Sequence, residues 1–83
     1  MIMRIGSEIV NLKDFVTIEC YQGTEYPEIM IEYPRTVKRF RLPFEMNPER
    51  VAAVIHHKIV TEPNGFSLIE CLKEHISIYG KGQ

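Results

Sequence analysis

Residues 15–42 read FVTIECYQGTEYPEIMIEYPRTVKRFRL, and the way this stretch pairs with itself decides the fold. Residues 15–21, 28–33 and 36–42 are rich in β-branched and aromatic side chains, so each is expected to be a strand. Setting Glu32 against Val37 across the loop 33–36 brings Met30 opposite Arg39, Glu28 opposite Arg41 and Ile29 opposite Phe40. Setting Cys20 against Ile29 then brings Ile18 opposite Ile31 and Val16 opposite Tyr33. One face collects Val16, Ile18, Cys20, Ile29, Ile31, Tyr33, Phe40 and Leu42. The other carries Thr17, Glu19, Glu28, Glu32, Arg39 and Arg41. A single register that separates apolar from polar across three strands is the condition under which register is well specified. Lys38 alone falls on the wrong face, near a turn, where its stem can carry the ammonium to water.

On the N-terminal side, Ile5-Gly6-Ser7-Glu8 carries glycine at the first central position of a two-residue turn. This is the type II′ signal, and it joins a strand at Ile2–Ile5 to one at Glu8–Asn11. Leu12-Lys13-Asp14 breaks or bends the run. On the C-terminal side the period changes from two to helical. Asn47-Pro48-Glu49 supplies a capping side chain, a proline at the first helical position and a carboxylate in the first turn. The helix extends over 47–61, with an apolar stripe of Val51, Ala52, Ile55 and Ile59. Glu62-Pro63-Asn64-Gly65 stops it. Ser67-x-x-Glu70 is a capping box for a second helix over 67–79, whose stripe is Leu68, Ile69, Leu72, Ile76 and Tyr79. The expectation is one small α+β domain spanning 1–83. Its antiparallel sheet of four to five strands lies within 1–44, and both amphipathic helices pack on one face.

Composition narrows the function. Apolar residues make up 45% and charged residues 25%, with a net charge of −1, so no global field draws the chain to nucleic acid or an anionic membrane. No apolar run approaches the length of a membrane span. The opening MIMRIG has no long apolar signal-type segment. Cys20 and Cys71 stand far apart in apolar surroundings, and are expected to be reduced thiols of a cytoplasmic protein.

Candidate chemistry is sparse. His56 and His57 are neighbours on a helix and point about 100° apart, so they cannot chelate one metal from one face. His75 lies on the other helix, and no HExxH or His-x₃-His spacing occurs. Ser7, Ser67, Ser77, Cys20 and Cys71 lack a nucleophile-elbow context. Glu45, Glu49 and Glu62 form no recognisable acid–base pair. The five glycines match no nucleotide-binding loop, and neither a cofactor nor an enzymatic activity is expected.

Two interaction readings remain. The loop 22–27 exposes Tyr26 beside Glu25, and Val54 and Ile78 fall off their helical stripes. With so small a core, these point to a protein partner or to self-association in a homo-oligomer, adaptor or inhibitor. The alternative uses Arg35, Lys38, Arg39 and Arg41, four basic residues within seven, as a phosphate-tracking strand for nucleic acid. Against it, the derived register buries Phe40 and sets Arg39 and Arg41 among Glu19, Glu28 and Glu32, where cross-strand ion pairs account for them. Strands followed by helices in this order resemble many small bacterial and phage domains, and no stretch carries a motif specific to one family.

Overall fold

The structure is a computed structural model that describes the backbone of residues 1–79 and the side chains of residues 1–76. In chain order its elements are β1 (Ile2–Ile5), β2 (Glu8–Asn11), β3 (Thr17–Gln22), β4 (Pro27–Glu32), β5 (Val37–Arg41), α1 (Pro48–Thr61), β6 (Gly65–Ser67) and α2 (Leu68–Tyr79). The fold is α+β. The strands, however, form two three-stranded sheets rather than one larger sheet. The first has the order β2-β1-β6 and the second β3-β4-β5.

The second sheet follows the register that the apolar–polar separation dictates. Ile18 faces Ile31, Cys20 faces Ile29, and across the next ladder Ile29 faces Phe40, Met30 faces Arg39 and Glu28 faces Arg41. Ile29, Ile31 and Leu42 are fully buried, and Ile18, Cys20, Tyr33 and Phe40 pack half-buried around them. Lys38, on this same face, is exposed near the turn. Val16 departs from the expected pattern. Its N–H donates to the Glu32 carbonyl at 2.7 Å, although Glu32 already stands opposite Thr17. Two residues thus oppose one at the entry to β3. Val16 leaves the buried face at this bulge and is 55% exposed.

The first sheet begins as the Gly6 signal requires. Gly6 has φ +61° and Ser7 does not share a positive φ, the combination that defines a type II′ turn, and Ile5 faces Glu8 across it. After β2 the Asn11 side chain accepts a hydrogen bond from the Lys13 N–H at 2.8 Å, and Asp14 adopts φ +64°. This turn redirects the chain into the second sheet. The third strand, β6, is the element the sequence conceals. It pairs parallel with β1, Ile2 to Gly65, Met3 to Phe66 and Arg4 to Ser67. Three residues between a helix stop and a helix cap are too few to show a period of two, so the segment reads as a connection. Met3, Ile5, Val10 and Phe66 line the buried face of this sheet.

Each helix serves a different sheet, which corrects the expectation that both share one face. α1 packs on β3 and α2 on β1, and both touch β6 and each other. Val51 and Ile55 from α1, and Leu68 and Leu72 from α2, join the strands in one continuous core. Val54, off the expected stripe, is half-buried against that core rather than presented outward. The two sheets are also tied directly, because the Tyr33 hydroxyl donates to the Asn11 carbonyl at 2.6 Å.

The α1 start matches its sequence signal, since the Asn47 side chain accepts from the Glu49 N–H at 2.8 Å behind Pro48. Asn47→Ala removes that acceptor and is expected to cost about 1 kcal/mol. In a thermal melt followed by circular dichroism, this lowers Tm by about 4–8 °C. Asn47→Asp, which restores an acceptor, should stay close to wild type.

Candidate interaction surface

The structure separates the residues that the sequence groups together. The loop 22–27 is shorter than it reads. Gln22 still pairs with Pro27 in the ladder, and the Gly23 N–H donates to the Tyr26 carbonyl at 3.0 Å, leaving a tight turn. A side chain at Gly23 would meet that carbonyl oxygen at 2.6 Å, so the turn is closed around a glycine. Glu25 is exposed at its tip, whereas Tyr26 is half-buried against the body of the protein. Ile78, the third expected contact, lies outside the residues whose side chains are described.

The basic stretch is divided by strand alternation. Arg39 and Arg41 project from the outer face of the second sheet, and Lys38 from the opposite face. The Arg41 Nε lies 3.9 Å from a Glu28 oxygen, and the other Glu28 oxygen accepts from the Tyr21 hydroxyl at 3.0 Å. Arg39 stands opposite Met30 and has no carboxylate in range among the described residues. Of the expected cross-strand ion pairs, the Arg41–Glu28 pair forms, at the long limit of such contacts and in water. Arg35 and Lys38 instead gather with Lys13 at the seam between the sheets, around a concavity of about 550 Å³. The four basic residues therefore do not form one track.

The histidines also diverge. His57 lines a shallow groove between the helices with Cys71, Glu74 and His75, while His56 faces the other side of α1. The His75 Nε2 lies 2.9 Å from an Arg50 guanidinium nitrogen. A guanidinium only donates, so the ring nitrogen is the acceptor in this contact. Among the described residues, no three His, Cys, Asp or Glu side chains gather closely enough to hold a metal ion. Burial pushes the Cys20 thiol up to about 11, and burial likewise raises Cys71, with neighbouring Lys58 opposing the shift. Both cysteines are free thiols, held in their protonated, weakly nucleophilic form at neutral pH.

What sequence reading misses is a groove of about 320 Å³ where the entry to β3 meets α1. Phe15 and Ile18 form one wall. Ala52, Ile55, His56 and Ile59, spaced three and four apart, form the other. Phe15 is 36% exposed, and Val16 beside it is turned out by the bulge. Ala52 was assigned to the core stripe of α1, but it is exposed and its small side chain leaves the groove open. Five of its six lining residues are apolar and the sixth is His56, whereas the groove between the helices and the seam concavity both include charged side chains. The available signal was a small residue, Ala52, within the helical stripe, opposite a strand expected to begin with two large apolar residues. Only the bulge at Val16 reveals that the stripe is wider than the strand covers.

No helix among the described residues is long and apolar enough to cross a membrane. Compared with known protein families, with curated proteins and with solved structures, the chain matches none of them.

Proposed function

We propose that this protein is a non-catalytic interaction module, and that its contact surface is the groove between β3 and α1. The observation that carries this reading is an apolar groove in which Phe15 and Ala52 are exposed and Ile18 and Ile59 half-buried beside the buried Ile55, with His56 as its one polar member. Uncovered apolar surface on a small domain is a standing cost in water, and a partner that fills it removes that cost. The groove accepts one or two aliphatic or aromatic side chains, the kind of anchor that dominates binding energy at protein interfaces. The tight turn at Glu25 and the half-buried Tyr26 offer less apolar area. Nucleic-acid binding by Arg35, Lys38, Arg39 and Arg41 is the weaker reading, because Lys38 lies on one face of the second sheet, Arg39 and Arg41 lie on the other, and Arg35 sits in the turn before them.

The test is an affinity capture from host lysate, treated with nuclease and compared between three baits. Wild type and Val60→Arg should retain the same protein, since Val60 is 68% exposed on α1 and outside the groove. Ala52→Arg places a charged side chain at the groove mouth and should lower the retained protein by about tenfold or more. Equal retention by all three baits would remove the groove as the contact surface. Loss of every captured species on nuclease treatment would transfer the function to the basic strand. Recovery of the bait alone, with a dimer mass on sedimentation that Ala52→Arg abolishes, would make the partner a second copy.

A further inference from the structure

The concavity at the seam of the two sheets has no role in the groove just described, and its chemistry is different. It is lined by Asn11 at the end of β2, by Lys13 and Asp14 from the turn that follows, and by Tyr33, Arg35, Thr36 and Lys38 around the β4–β5 turn. Three cations and one carboxylate therefore meet in a chain whose net charge is −1. None of Lys13, Arg35 and Lys38 has an ion-pair partner among the described residues.

We infer that this concavity binds a compact phosphate-bearing anion. Two separate turns fix the backbone from which Lys13 and Arg35 project. Lys13 follows the Asn11 side chain that accepts its N–H, and Arg35 sits in the turn closed by the hydrogen bond from the Tyr33 N–H to the Thr36 carbonyl at 2.8 Å. The Tyr33 hydroxyl fixes these turns relative to each other by donating to the Asn11 carbonyl. A phenol is protonated at neutral pH, and burial raises that of Tyr33 further, so its hydroxyl is a donor. Lys38 is the residue that breaks the apolar pattern of its face, and here it closes the rim. Arg35 supplies planar donors suited to two phosphate oxygens, Lys13 and Lys38 supply point charges, and the Thr36 hydroxyl adds a neutral donor. A volume of about 550 Å³ suits a small molecule, within the range of known ligand sites. An extended strand is disfavoured, because Arg39 and Arg41 face away and cannot continue the track.

The test uses inorganic pyrophosphate as the probe, titrated into the labelled protein at constant low chloride and followed by amide chemical shifts. Saturable shifts confined to residues 11–14 and 33–38 are expected, with a Kd on the order of 1 mM or tighter that weakens as salt rises. Lys13→Ala with Lys38→Ala should weaken binding about tenfold, while Arg39→Ala with Arg41→Ala should leave it within about twofold. Lys38→Gln alone, which removes the charge but keeps a polar side chain one atom shorter, should give an intermediate loss with an unchanged thermal melt. Absence of saturation, or an equal response of the two double variants, would overturn the assignment. So would tighter binding of a thymidine oligonucleotide that the Arg39→Ala, Arg41→Ala variant loses, which would make the ligand a nucleic acid.

Discussion

Gly65→Ala is expected to lower Tm by about 12–24 °C, corresponding to about 3 kcal/mol for a domain of this length. Gly65 has φ +136°, a backbone conformation from which a side chain is excluded by its own peptide groups. A Cβ at this position would also lie 2.5 Å from the Ile2 carbonyl oxygen, and that atom is backbone that cannot rotate away. Both difficulties fall on the same contact, the parallel pairing of β6 with β1. Relieving them requires the strands to part, which releases Phe66 and Met3 from their alignment in the core. Gly6→Ala is the informative comparison. Gly6 also has a positive φ, at +61°, but open space surrounds the position of its Cβ. Only the backbone term applies there, about 1 kcal/mol and 4–8 °C. Melts of both variants by circular dichroism separate the two contributions. A Gly65→Ala variant that melts as Gly6→Ala does would mean that the close approach of β1 and β6 carries no cost.

Met3→Ala is comparable in size, at about 2–5 kcal/mol. Met3 is fully buried at the centre of the first sheet, between Val10 and Phe66. Truncation removes its transfer free energy and leaves a cavity whose walls belong to two strands fixed by their ladders, so little collapse can follow. Stability for a chain of this length is about 4–12 kcal/mol, so the loss is a large share of the whole. Urea unfolding should show a lower midpoint at unchanged slope. Met3→Leu preserves volume and should cost less than about 1.5 kcal/mol. A Met3→Ala midpoint equal to that of wild type would show that the first sheet contributes nothing to the cooperative unit.

The parts of the fold that are legible in the sequence are those in which many side chains vote together. Three strands in the stretch 15–42 leave one register that keeps charges out of the core, and the structure adopts it from Thr17 to Arg41. The Asn47 cap and the Gly6 turn are local chemistry and read correctly for that reason. β6 fails the same reading because its stabilising partner is β1, far away in the chain, and Gly-Phe-Ser alone has no period. Val16 fails because a bulge is a one-residue event that shifts exposure without changing composition. The groove followed from that miss, since Ala52 and Ile59 belong to a good helical stripe whichever strand lies beneath them. The dispersal of the basic cluster was half legible. Alternation along β5 already assigns Lys38 and Arg39 to opposite faces, but the meeting of Lys38 with Lys13 requires the seam between sheets that the sequence does not announce.

The parallel pairing of β1 with β6 also orders events in time. The second sheet is built from neighbouring hairpins, so its strands pair at short sequence separation with little loop entropy to overcome. The first sheet cannot do so, because its central strand waits for β6, which emerges only after the whole of α1. At a synthesis rate of about 5–20 residues per second, β1 spends seconds with one edge unsatisfied while the rest of the chain takes shape. The first strand to emerge therefore completes its pairing only when β6 arrives, after every other strand has been synthesised.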